Sequence, residues 1–130
     1  LKWGALVPKC VSSILQNKLP VIYKNNYRTR DFIYVEDTVK GILGVAKNAK
    51  SGEIVNIGTG IETSVQSILE MICKFMDYKG EIDYQDPRKG DVTQLWADIT
   101  KAKNMFGFKP EVDLEEGLKR TIEYYKQGGV

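Results

Sequence analysis

Val65, Ile68, Leu69, Ile72 and Met76 recur at the spacing of one helical face, and the run opens at Thr63 or Ser64. This is the best-patterned helix of several, and each alternates with a short run of β-formers. Upstream, Val7, Cys10, Val11, Ile14 and Leu15 keep helical spacing to about Asn17, with Pro8 tolerated in the first turn. Leu19 to Tyr23 then predicts a short strand, 24–28 a polar loop, and Asp31 to Val35 an apolar strand. Asp37 offers an N-cap, followed by a stripe of Val39, Ile42, Leu43 and Ala46 that ends near 48–52. Glu53 to Ile57 predicts a strand and Gly58-Thr59-Gly60 a turn. After Gly80 come a strand over Glu81 to Tyr84 and a Pro/Gly-punctuated loop over 86–91. Asp98 can cap a short helix that Gly107 closes, and Asp113-x-x-Glu116 opens a last helix through Leu114, Leu118, Ile122 and Tyr125 to Gly128-Gly129. Helices alternating with short strands make the fold class α/β. With no internal repeat and no linker composition, residues 1–130 are expected to form one domain.

Composition then removes function classes. The 19 basic and 17 acidic residues leave a formal charge of +2, which argues against a broad nucleic-acid footprint, so any anion must be held locally. A single-strand binder using Lys24, Arg28 and Arg30 with Tyr23 and Tyr27 is the weakest of the readings. Cys10 and Cys73 sit in apolar helical patterns and the chain has no histidine, which disfavours zinc and fits two reduced thiols in a cytoplasmic protein. No apolar run reaches spanning length and no signal-peptide pattern occurs, so no membrane partner is expected. The chain opens on Leu1-Lys2-Trp3, from which a longer parent is expected.

Three features invite chemistry. Gly58-Thr59-Gly60-Ile61-Glu62-Thr63 follows an expected strand, opens a helix and has Glu81 and Asp83 about twenty positions on, the context of a dinucleotide fingerprint. Thr63 stands where the third glycine would allow close packing, so a purely conformational turn is the better account. Carboxylate pairs Glu36/Asp37 and Glu115/Glu116 lie at helix starts, where they complement the dipole. Arg30 enters an apolar strand and Arg88 lies in Asp86-Pro87-Arg88-Lys89-Gly90-Asp91, so both guanidiniums are constrained and could chelate a diphosphate. Surface ion pairs, Arg30 with Asp31 or Glu36 and Arg88 with Asp86 or Asp91, have the slight edge on residue physics alone.

Four segments in register carry more than any one of them. Thr29-Arg30-Asp31-Phe32-Ile33-Tyr34-Val35-Glu36-Asp37, Asn56-Ile57-Gly58-Thr59-Gly60 with Ser64, Arg88-Lys89-Gly90-Asp91 and Ala97-Asp98-Ile99-Thr100-Lys101-Ala102 resemble the C-terminal part of the extended short-chain dehydrogenase/reductases. Within these, the resemblance is to the NAD-dependent nucleotide-sugar epimerases and dehydratases, and it runs from Gly4-Ala5-Leu6-Val7-Pro8 to Tyr124-Tyr125. It implies a Rossmann-type parent whose C-terminal, substrate-binding portion is this chain. Arg30 and Arg88 would then hold the diphosphate, Asp91 the ribose hydroxyls, and main-chain groups of Val21 and Tyr23 the base. Leu95 would help set the breadth of the sugar pocket. Two positions depart from the family pattern: Lys24-Asn25-Asn26 replaces a glycine-bearing loop, and Ser67 stands where a capping-box glutamate is usual.

The family's cofactor fingerprint and catalytic Tyr-x-x-x-Lys belong to an N-terminal portion and do not occur in these residues. The resemblance therefore implies NAD in the full-length enzyme, none bound by this chain alone, no catalytic residue here, and a homodimeric parent. The ligand would be a nucleotide-sugar, with a UDP-sugar first and the base undecided. Epimerase and dehydratase chemistry both remain open, as does a stand-alone binding domain.

Overall fold

The computed structural model describes residues 5–23, 28–86, 90 and 92–129. Along the chain it places α1 (Leu6–Leu15), β1 (Val21–Tyr23), β2 (Thr29–Arg30), α2 (Val35–Asn48), β3 (Thr63–Ser64), α3 (Val65–Phe75), β4 (Asp83–Gln85), β5 (Gln94–Leu95), α4 (Thr100–Phe106) and α5 (Leu114–Lys126). These elements gather into two compact units, Leu1–Arg28 with Ser64–Thr93 and Leu118–Val130, and Thr29–Thr63 with Gln94–Gly117. Each unit is discontinuous in sequence, so no linker composition marks it.

The first unit is built on the best helical stripe, that of α3. α1 packs on α3, burying Cys10 and Val11 among Ile68, Leu69 and Ile72, and α5 adds Leu118 and Ile122. Ser64 caps α3 by accepting from the N–H of Ser67 at 2.9 Å, and the two hydroxyls lie 2.5 Å apart. Ser67 thus answers the cap through its own hydroxyl where a glutamate would reach back. Both helices close on a left-handed polar residue, Asn17 (φ 54) and Asp77 (φ 48). The next N–H then reaches back to a carbonyl of the last turn, Lys18 to Ser13 and Tyr78 to Cys73, each at 2.9 Å. β1 runs parallel to β4 with Ile22, the buried strand residue, opposite Tyr84.

Burial has a chemical consequence at Cys10. Desolvation first, and the neighbouring Cys73 second, push its thiol up to about 11. Cys73 is raised as well, by burial and then by Glu70. The thiolate is the reactive form, so Cys10 should resist alkylation near neutral pH until the chain unfolds. The sign for stability follows: the neutral thiol is favoured in the fold, so its contribution is whole below pH 9.0 and lost as pH rises towards about 11. Mass-spectrometric labelling of Cys10 in the folded chain as fast as in urea would contradict this burial.

In the second unit, α2 packs on α4, and the contact is made by glycine. A Cβ on Gly44 would collide with the Phe106 ring, and one on Gly41 would lie 2.6 Å from Ile57 Cγ2. The sheet here has the order β3-β2-β5, with β2 parallel to β5 in the register Thr29↔Gln94 and Arg30↔Leu95.

Two expected strands are corrected. Asp31 to Val35 is no strand: pairing stops at Arg30, the carboxylate of Asp31 turns to the 58–60 turn, and α2 already starts at Val35. Tertiary bonding has overridden the β-propensity of Phe32-Ile33-Tyr34-Val35. Glu53 to Ile57 has no ladder partner among the described residues. Nor is Asp37 an N-cap. Tyr34 takes that position without a side-chain cap, and Asp37 lies inside the first turn, fully buried. Nor does Asp98 take the N-cap of α4, which is Ile99, although its carboxylate accepts the Thr100 N–H at 2.9 Å; Gly107 at φ 70 and Asp113, whose carboxylate accepts the Glu116 N–H at 2.8 Å, fall as read.

Candidate functional site

Arg30 is the last residue of β2, half-buried, and sits directly opposite Leu95. The side chains of a strand alternate between faces, so Thr29 and Gln94, the preceding pair, turn to the other side. There Glu62 ties them together, accepting from Thr29 Oγ1 at 2.5 Å and from Gln94 Nε2 at 2.9 Å. The register that puts Arg30 beside Leu95 is therefore fixed on one face by a carboxylate and presented on the other. Arg30 Nη1 also donates to the Thr29 carbonyl at 2.6 Å, which folds the guanidinium back along its own strand. Leu95 is 56% exposed, so this face has apolar surface beside a cation.

Immediately after Arg30, Asp31 organises what surrounds it. Its carboxylate accepts from Thr59 N at 2.8 and 3.1 Å, Thr59 Oγ1 at 2.5 Å, Gly60 N at 2.9 Å and Ala97 N at 3.2 Å. Burial pushes this carboxyl up, but the bonds from Thr59, Gly60 and Ala97 outweigh it and hold the acid below its ordinary 3.8. Gly58 is required by close approach, since a Cβ there would lie 2.6 Å from Asp31 Oδ2 and 2.7 Å from Ala97 Cβ. The resemblance of 58–63 to a dinucleotide turn ends here. The N–H groups of Thr59 and Gly60 that could cradle a pyrophosphate already serve Asp31, so this turn does not fit NAD.

Asp37 plays the matching role six residues on, in the first turn of α2. It accepts from Glu111 N at 2.9 Å and Val112 N at 2.8 Å, and Lys40 Nζ stands 3.6 Å away while also pairing with Glu111. The 110–114 segment held in this way rims a cleft of about 790 Å³ lined by Phe32, Ile61, Ile99, Phe108 and Leu114.

Of the remaining expected ligands, only two are among the described residues. Val21 and Tyr23 are the first and last residues of β1 in the first unit, with Val21 exposed and Tyr23 half-buried. Arg88 and Asp91 lie outside the described residues. Asp31 was read only as an ion-pair partner, and Glu62 and the buried position of Asp37 were not anticipated. No spacing rule links positions 31 and 97 or 37 and 112. Among the described residues there is no cluster of three metal-ligating side chains, and no helix long and apolar enough to cross a membrane.

The sequence profile described as GDP-mannose 4,6 dehydratase matches residues 4–121. The chain belongs to that family of nucleotide-sugar epimerases and dehydratases. A Methanocaldococcus jannaschii protein assigned as a UDP-glucose 4-epimerase is 44% identical over 116 residues, which is 89% of this chain and 37% of the relative. The Thermotoga maritima UDP-glucose 4-epimerase, solved with UDP-glucose, superposes at a TM-score of 0.89 and 35% identity over 95% of this chain and 40% of its own. The Bacillus cereus UDP-glucuronic acid 4-epimerase, solved with UDP-glucuronic acid and NAD, gives 0.87 and 28% over 95% and 40%. The chain thus spans little more than a third of the length of its curated relatives. Its α/β elements are those of Rossmann-type epimerases.

Proposed function

We propose that residues 1–130 are the C-terminal, nucleotide-sugar-binding portion of an NAD-dependent sugar epimerase of the UDP-glucose 4-epimerase kind. The observation that carries this reading is the β2–β5 register: it sets Arg30 beside Leu95 on one exposed face, in a chain that superposes on an epimerase solved with UDP-glucose. On this reading Arg30 and Arg88 hold the diphosphate, Asp91 the ribose, main-chain groups of Val21 and Tyr23 the base, and Leu95 one wall of the sugar pocket. NAD belongs to an N-terminal Rossmann portion, and this chain alone turns nothing over. The full-length enzyme would be a homodimer in the cytoplasm, a compartment that suits the unbridged Cys10 and Cys73.

Arg30→Ala in the intact enzyme should weaken UDP binding roughly ten- to hundred-fold and leave uridine nearly unchanged, because charge-assisted bonds contribute about 1.5–3 kcal/mol and address only the phosphates. Arg30→Lys should recover part of the loss, keeping the charge without the fork. Calorimetric titration of both ligands decides it. Equal losses for UDP and uridine, or none for either, would remove Arg30 from the site. The dehydratase name of the family profile favours a second reading, sugar dehydration, and product analysis with UDP- and dTDP-sugars separates the two.

A further inference from the structure

The cleft between the 59–63 turn and the 107–114 segment has no part in the function proposed above. Its lining lies within the second unit and includes neither Arg30 nor Leu95. A volume of about 790 Å³ is that of a small-molecule site, and such sites are largely formed before the ligand arrives. Here both rims are held by carboxylates from elsewhere in the unit. Asp31 fixes one through the N–H groups of Thr59 and Gly60, and Asp37 the other through those of Glu111 and Val112. Between them the walls are apolar, built from Phe32, Ile61, Ile99 and Leu114 with the largely buried Phe108. Ile61 is 65% exposed, which leaves an open apolar wall.

The polar groups of the cleft are unbalanced towards donors. Of its two carboxylates, Glu111 is paired with Lys40, and Asp113 accepts the Glu116 N–H at 2.8 Å. The Thr59 hydroxyl is committed too, donating to Asp31 and accepting from the Ile61 N–H at 3.1 Å. By contrast, the ammoniums of Lys103 and Lys109 and the hydroxyl of Thr63 have no side-chain partner among the described residues. With Glu111 set against Lys40, two ammoniums remain against the single carboxylate of Asp113, and the cleft is net positive.

We propose that this cleft binds a small organic anion, a flat apolar body of one or two rings that carries a single carboxylate or sulfonate. The rings lie against Phe32, Ile61 and Ile99, and Lys103 and Lys109 take the anionic end. Charge complementarity selects this occupant. A neutral apolar guest would desolvate two ammoniums and give them no acceptor, and a cation would meet like charge. A diphosphate would find mobile point charges and apolar walls in place of the forked donors that suit it.

The test is a heteronuclear NMR titration that follows the amides of 59–63 and 107–114. The probes are 2-naphthoate, its neutral counterpart 2-naphthylmethanol, and UDP. The proteins are this chain and a single polypeptide in which it replaces the matched segment of the Thermotoga maritima epimerase. In both, 2-naphthoate should bind with a Kd of about 1 mM or below, and roughly tenfold more tightly than the alcohol. Its advantage should shrink as salt is raised. Lys103→Met and Lys109→Met keep the apolar stems and remove the charges, so each should weaken 2-naphthoate roughly three- to tenfold and leave the alcohol unchanged. Both lysines are exposed, so the melting temperature should stay that of the wild type. Ile61→Ser should weaken both naphthalenes, and Arg30→Ala neither. Four results would overturn the proposal: equal affinity for acid and alcohol, no loss in either lysine variant, displacement of 2-naphthoate by UDP or its loss in Arg30→Ala, or binding by the chain that disappears in the single polypeptide. Failure of UDP binding with this pattern intact would reject the function and spare the cleft.

Discussion

Asp37→Ala is expected to lower the unfolding free energy by about 2–5 kcal/mol, from two backbone donors that lose their acceptor and the void the side chain leaves. The side chain is fully buried, and it satisfies two backbone N–H groups, those of Glu111 and Val112. Alanine leaves both part-buried donors without their acceptor, at up to about 1–3 kcal/mol each, and opens a void where the carboxylate was. Lys40→Met separates this from a simple ion-pair effect. Lys40 is half exposed and stands 3.6 Å from Asp37, so its loss should cost much less than the loss of Asp37. Urea denaturation near neutral pH reads both variants. A loss below about 1 kcal/mol for Asp37→Ala would mean that the 111–112 backbone finds other acceptors. Asp37 also fixes the rim of the cleft lined by Phe108 and Leu114, so amide exchange at Glu111 and Val112 should rise in the alanine variant more than elsewhere.

These carboxylates show where sequence reading stops. The helices were legible because their signals are local: the α3 stripe, the Ser64 cap, Gly107 and the Asp113-x-x-Glu116 spacing each lie within a few residues of the feature they set. The strands were not, since β2 and β5 are two residues long and their existence depends on pairing between positions 29–30 and 94–95. Phe32 to Val35 has the composition of a strand, but what decides its path is a carboxylate bonding to residues 28, 29 and 66 positions away. Residues 53–57 show the converse, since strand propensity alone does not make a strand where no ladder is supplied. At the site, Arg30 and Leu95 were identified singly through the resemblance. Their pairing, and the Glu62 tie behind it, is tertiary information.

Asp31→Asn should cost roughly 2–4 kcal/mol, because an amide offers one acceptor oxygen where the carboxylate serves Thr59, Gly60 and Ala97, and its NH₂ would face donors. The pH dependence gives the loss a signature. The folded-state pKa of Asp31 lies below 3.8, so its contribution is present above that value and disappears as pH falls through the folded one. The gap between wild type and variant should therefore be constant from about pH 7 to pH 5 and close in stronger acid. A gap independent of pH down to the acid transition would assign the loss to packing instead. Gly58→Ala strikes the same cluster from the other side, since its Cβ would stand 2.6 Å from Asp31 Oδ2. The double variant should then lose less than the sum of the singles, as residues sharing one network do. Because Asp31 follows Arg30 and binds the backbone two residues after Leu95, the asparagine variant should also weaken UDP binding more than uridine binding. Full retention of UDP affinity alongside the stability loss would show that Arg30 holds its place without Asp31.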